Sequence, residues 1–261
     1  MMRNYWEIYK KFVSTSTTMA MSFRLPFVLL IVMDLCFYFT SLLTIDFIFN
    51  HIQHMGPWNR DQLMFFMAFM LLLDNLHMTF VSESFWELSM MLKTGQFDYV
   101  VLRPMNTLFS TFFRFFRPST MLNFPIAVGV LIHYGLKIGL APSAWALLPV
   151  FVILSFILLI QVEFIITTSM FWVIDGLGIN FLRMQFQKLA RWPNFVYASM
   201  PRRVFTLIFP ILVIGSAPVS FLIDQSKWYW PLGLVTSIIV LGFVLSFLWT
   251  TGIRRYESAS S

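Results

Sequence analysis

Four titratable side chains interrupt long apolar runs: Asp34, Asp74, His77 and Glu163. A charge at the centre of a bilayer costs about 2.5–3.5 kcal/mol on insertion scales, so such residues face protein or water, pair up, or stay protonated. Asp74 and His77 are three residues apart, which puts them on one helical face within reach of a local hydrogen bond. Two chemistries fit these four residues. One is a solute path or proton relay; the other is interhelical polar contact, worth about 0.6 kcal/mol each. His51 and His54, with Asp46 and Asp61 nearby, are metal-binding residue types. A zinc site needs three or four convergent ligands, and a loop promises no such convergence, so no metal is expected. No G-x-x-x-x-G-K-[ST] run occurs, so no phosphate-cradling loop of that type is encoded. No paired nucleophile and base emerges to make a membrane-embedded enzyme.

The elements that must carry these residues are set by composition. Of 261 residues, 58% are hydrophobic and only 11% charged, against about 25% charged in a soluble domain. Such a chain cannot face water all round. The 31 Phe, nine Trp and 17 Met supply the large apolar area that lipid-facing helices need. A membrane barrel would show strands of about ten residues alternating in polarity, and no such alternation is present. The expected fold is therefore all-α, a polytopic membrane protein. The net charge of +6 is assigned to topology and not to nucleic acid, because Lys and Arg collect in cytoplasmic loops. Cys36 is the sole cysteine, which excludes an intrachain disulfide. The first apolar run follows a charged aromatic segment without a small-residue cleavage site, and reads as a retained span.

A helix needs about 20 residues to cross the hydrocarbon core. Leu25–Phe49, Gln62–Ser82, Pro118–Leu136, Leu147–Ile174 and Trp228–Ile253 meet that length. A sixth segment, Val204–Ile223, is long enough but carries Pro210 and Pro218. Six transmembrane helices place both termini on one side. With the N-terminus inside, every Lys and Arg except Arg60, Lys137 and Lys227 falls in an inner segment, as the positive-inside rule requires. Ahead of the first span, Tyr5, Tyr9, Phe12 and Val13 form an apolar stripe beside Lys10 and Lys11, which suits an interfacial helix over residues 1–24. Phe109, Phe112, Phe113, Phe115 and Phe116, with Arg114 and Arg117, read as an aromatic belt with snorkelling arginines.

The region Gly176–Ile223 admits two paths. In the first, Gly176–Arg203 stays cytoplasmic and Val204–Ile223 crosses. In the second, Gly176–Trp192 crosses and Pro201–Ile223 dips back from outside as a re-entrant hairpin, since broken backbone at membrane depth survives only under cover of protein or a watery cavity. Charge counting prefers the first path; the proline spacing keeps the second open.

Residues 82–104 form a charged insert between two spans. Gly95 sits where a helix C-terminus needs a left-handed residue, and Lys93 lies in the last turn facing the negative end of the helix dipole. Phe97 and Tyr99 then bracket Asp98, and Arg103-Pro104 closes the insert. Aromatic anchors around a charge suit a protein-binding knob; an ordinary connecting loop is the plainer reading. The run M-L-K-T-G-Q-F-D-Y-V-V-L-R-P-M-N at 91–106 resembles the signature loop of ATP-binding-cassette (ABC) type-2 permeases, in a subfamily of bacterial six-span exporter subunits. The proline-punctuated stretch 191–218 and the R-R-Y-E-S-A-S ending at 254–260 are similar to the same family. The segment before Pro193 departs from it, being more basic than a spanning helix there.

The resemblance implies a single transmembrane domain over residues 1–261, set in the bacterial cytoplasmic membrane with both termini cytoplasmic. It implies a coupling helix within 82–104, with Glu87, Lys93, Gly95, Phe97, Asp98, Tyr99, Arg103 and Pro104 as its contact set. The partners implied are a cytoplasmic ABC ATPase subunit, which would bind the ATP and Mg, a second permease subunit and membrane lipid. This chain would then need no cofactor of its own and would export a hydrophobic or amphipathic solute. The competing expectation is a secondary transporter driven by an ion gradient through Asp34, Asp74 and Glu163.

Overall fold

The computed structural model describes residues 2–173 and 176–256. Among these, every regular element is helical. In order they are α1 (Met2–Ser22), α2 (Arg24–Phe49), α3 (Arg60–Phe80), α4 (Ser82–Thr94), α5 (Asp98–Val101), α6 (Thr107–Phe112), α7 (Pro118–Met121), α8 (Phe124–Lys137), α9 (Pro142–Thr168), α10 (Gly176–Ala190), α11 (Ser199–Arg203), α12 (Val213–Ile223) and α13 (Tyr229–Arg255). The expected end of the fourth span at Ile174 and residues 257–260 of the C-terminal motif lie outside the described residues.

Helix α3 is the axis of the bundle. Asn59 starts it with a capping box, its side chain accepting from the Gln62 amide while the Gln62 side chain accepts from the Asn59 amide. Every residue from Leu63 to Asn75 is then buried, so the helix is walled on all sides by α2, α8, α9 and α12. The large apolar side chains of its first half, Phe65, Phe66 and Phe69 among them, build the main core. By contrast α2 and α13 expose most of their apolar surface, as helices solvated by lipid do. Helices α2, α3, α7–α8, α9 and α13 are each long and apolar enough to span a bilayer. Pro142 opens α9 at its first turn, where a missing amide proton costs nothing, so this span begins earlier than Leu147.

Contacts define the two ends of the bundle. At one end Lys137 lies 2.8 Å from Asp61 and Gln225 donates to Ser143 Oγ at 2.7 Å, joining the start of α3 to the end of α8 and the start of α9 to the loop before α13. At the other end the Asn106 amide donates to Tyr5 Oη at 3.0 Å, Trp249 Nε1 donates to Thr107 Oγ1 at 3.0 Å, and Phe97 packs on Tyr256. Both described chain ends therefore sit at the second end, beside α4–α6. The apolar stripe of α1 faces inward there, with Tyr5 and Phe12 against Phe109.

The region after α9 follows the second of its two expected paths. Asn180 donates to the Phe85 carbonyl, Gln187 reaches Asp74 and His77, Arg191 reaches Asp74, and Phe195 meets Trp58 edge-on at 4.9 Å. As the α10 segment advances, its contacts retreat along α4 and α3. The chain thus runs antiparallel to α3 and traverses the bundle from the α4 end to the Trp58 end. From there α11 and a π-helical turn at Val204–Ile208 lead inward until Phe205 and Phe209 pack on Phe186. A 96° bend follows before α12, which returns to the Ile138–Ala141 turn. Since residues 196 and 223 lie at the same end, the segment between them dips in and comes back. The first path, with Val204–Ile223 crossing, is thereby corrected. In its place α10 and the chain beyond it run the length of the bundle.

Candidate functional site

Where α3, α9 and α10 meet, the buried charges form one continuous chain. Glu163 on α9 is 1% exposed and Arg183 on α10 is 2% exposed. Arg183 Nη1 lies 3.1 Å from Glu163 Oε1, and its guanidinium covers the Phe85 ring at 4.1 Å. The other carboxylate oxygen of Glu163 is 2.6 Å from His77 Nε2. The far ring nitrogen, His77 Nδ1, is 3.2 Å from Gln187 Nε2, which also donates to Asp74 Oδ1 at 3.1 Å. Arg191 closes the chain, with Nη2 at 3.3 Å from Asp74 Oδ1 and its guanidinium over Phe37.

The Gln187 amide nitrogen lies within reach of both Asp74 and His77 Nδ1; a flipped amide would aim its oxygen at a carboxylate. His77 thus meets Gln187 at Nδ1 and Glu163 at Nε2. Two carboxylates, Glu163 and Asp74, face two guanidiniums, Arg183 and Arg191. Breaking a buried pair by removing one partner costs about 3–5 kcal/mol, because an uncompensated charge is left behind. What the arrangement does chemically is to lock three helices at a fixed rotation about their axes.

Of the four intramembrane residues singled out in the sequence, Asp74, His77 and Glu163 come together here. Asp74 and His77 do not bond to each other; Gln187 bridges them. Asp34 stays apart on α2, half-buried, within the field of Arg117. The partners Asn180, Arg183, Gln187 and Arg191 were not anticipated. Arg183 and Arg191 had been placed among cytoplasmic loop charges, and that placement is corrected: each is neutralised inside the bundle. Their spacing of three and four residues, which puts one polar stripe along the helix, is the signal that would have found them.

The α4–α5 hairpin is the second feature. Gly95 holds φ at +72° and ends α4 as expected, with Lys93 exposed in the last turn. Phe97 is fully buried, packed among Phe171, Trp249 and Tyr256. Its expected role as a presented anchor is corrected. Phe97 and Val100 point into the bundle while Tyr99 and Leu102 are 70% and 79% exposed, because positions two apart on a helical turn face opposite ways. Asp98 and Arg103 are half-buried, Pro104 is exposed, and Glu87 is half-buried on α4. Burial lowers the pKa of Arg114, and so does the neighbouring Arg103 charge, with Glu87 opposing both. Phe112, expected in an aromatic belt, is core, stacked on Phe164 at 3.9 Å between centroids.

Asp46 and Asp61, considered as metal ligands, bind Arg60 and Lys137 instead. Among the described residues no cluster has the makings of a metal site.

A bundle of membrane-length helices, held by a buried ionic chain and bearing a helical hairpin at the end where its termini meet, is a polytopic membrane protein. The family model for ABC-2 family transporter protein matches residues 35–260. The chain belongs to that family, the membrane-embedded and non-catalytic part of an ABC transporter. Among curated proteins and among solved structures, none matches it.

Proposed function

We propose that this chain is the permease subunit of an ATP-driven exporter, worked by a separate cytoplasmic ABC ATPase that grips the α4–α5 hairpin and supplies the ATP and Mg sites. One observation carries the reading. Tyr99 and Leu102 project from a hairpin whose other face is nailed into the bundle by Phe97 and Val100. Large apolar groups at the tip of a polar hairpin, beyond the ends of the spans, are where a partner protein would find its anchors. The buried side gives the hairpin a rigid root, so a push on the tip is transmitted to α3, α9 and α13. A second permease subunit would complete the assembly. The α4 end faces the cytoplasm in this reading. Lys10, Lys11, Arg24, Lys93, Arg103, Arg114, Arg117, Arg254 and Arg255 gather there, and the opposite end holds Arg60, Lys137, Arg202, Arg203 and Lys227. The excess still obeys the positive-inside rule. The cargo is a hydrophobic or amphipathic solute moved outward across the cytoplasmic membrane of a bacterium.

An ion-gradient mechanism through Asp34, Asp74 and Glu163 gains nothing from the geometry, because two of the three acids already face arginines. The deciding experiment is co-purification of the full-length chain with its ATPase, comparing wild type with Tyr99→Ala and Leu102→Asp. Both variants should insert normally and lose most of the bound ATPase together with its stimulation. Full retention of the ATPase by both would refute the docking role.

A further inference from the structure

A groove runs between the α1–α2 elbow and α7, at the end of the bundle that carries α4. Its volume is about 520 Å³. Met19, Phe23, Phe27, Leu30 and Phe116 form apolar walls, and two opposite charges, Arg117 and Glu83, sit on its lining. Those charges do not satisfy each other. Among the described residues neither makes an ion pair, and the only side-chain partner of the Arg117 guanidinium is the Met78 thioether at 4.0 Å. The Asp34 carboxylate feels Arg117 from deeper along α2 but forms no ion pair with it. The backbone of Arg117 is fixed, its amide donating to the Thr79 carbonyl at 2.9 Å, so the guanidinium is presented from a rigid point. Its level matches the last turn of α3, and Glu83 lies in the first turn of α4. Both therefore sit where a bilayer changes from hydrocarbon to headgroups.

We propose that this groove binds a phospholipid with a zwitterionic headgroup that carries a primary ammonium. The phosphate would lie on Arg117, the ammonium on Glu83, and an acyl chain along Phe23, Phe27 and Leu30. The charge pattern selects the occupant. A headgroup that is anionic alone would satisfy Arg117 but meet Glu83 with like charge, whereas phosphate and ammonium held a few bonds apart satisfy both. Guanidinium and phosphate pair with directional, charge-assisted hydrogen bonds, and the apolar walls account for the chain. The site needs no ATPase, so it stands or falls separately from the export mechanism.

The test uses the full-length protein in nanodiscs made from equal parts phosphatidylethanolamine and phosphatidylglycerol. Lipid that stays bound after release into detergent is counted by native mass spectrometry. Wild type should retain phosphatidylethanolamine over phosphatidylglycerol by about fivefold, the ratio one extra exposed ion pair supplies. Glu83→Gln should erase that preference while total retained lipid holds, and Arg117→Gln should lower retention of both lipids. Equal retention by wild type overturns the proposal, as does unchanged selectivity in Glu83→Gln. The latter result decides alone if Arg117→Gln does not fold. Free phosphoethanolamine should leave the bound lipid in place; displacement by it would assign the groove to a soluble ligand and refute the lipid.

Discussion

At Glu163 a single carboxylate holds both His77 and Arg183 at hydrogen-bonding distance inside the bundle. Its removal leaves a guanidinium buried against Phe85 with no counter-charge. Glu163→Ala should therefore destabilise by about 3–5 kcal/mol, read as a lower unfolding temperature in detergent. The double change Glu163→Leu with Arg183→Met should recover most of that loss, because replacing both partners with apolar groups of similar volume is often neutral. If the ionic chain were instead a transport path, the double variant would be stable but unable to move cargo, and a transport assay separates the two. Phe97 makes the same point about reading residues singly. Aromatic character and position suggested a partner-facing anchor, yet truncating a fully buried ring costs about 3–5 kcal/mol. Phe97→Ala should lower stability first, with loss of coupling only as a consequence.

Individual elements owe their paths to close approaches that side-chain chemistry alone does not announce. At the start of α10, a Cβ on Gly176 would collide with Ser89 Oγ and lie 2.8 Å from Ser89 Cβ, so α10 and α4 touch where only glycine fits. Gly176→Ala should cost about 1–3 kcal/mol by overpacking, and adding Ser89→Gly should restore much of it; thermal unfolding of the single and double variants checks this. The re-entrant segment makes a sharper prediction. Single cysteines replacing Arg202 and Arg203 should react with impermeant thiol reagents only from the side opposite the α4–α5 hairpin. Labelling from the hairpin side would restore a crossing by Val204–Ile223. Pro210 lies within the break and Pro218 inside α12; the first spares the bend an amide it could not satisfy, and the second is tolerated because α3, α9 and α13 surround that helix.

On the scale of the whole molecule, the all-helical membrane class, the limits of α2, α3 and α13, the glycine cap of α4 and the existence of an apolar stripe on α1 were legible in the sequence, though not that the stripe packs on Phe109. Each depends on local chemistry: apolar length against bilayer thickness, a cap beside its helix, a period of 3.6. What was not legible was which charges are solvated. Arg183 and Arg191 look like loop cations when counted along the chain, and that count favoured the wrong path for Gly176–Ile223. Their counter-charges, Glu163 and Asp74, are 20 and 117 residues away. Pairing over such separations is a property of the packed bundle. The same holds for the division of α5 into a buried face and a presented face, since nothing in Phe-Asp-Tyr says which ring meets Trp249. The sequence by itself determined that this protein lives in a membrane and where most of its helices begin and end, because those follow from hydropathy and capping within a few turns. Only the tertiary structure decided how α10 crosses, which arginines are neutralised and which side chains the hairpin shows to a partner, because a charge or an aromatic ring acquires its role from neighbours that folding brings to it.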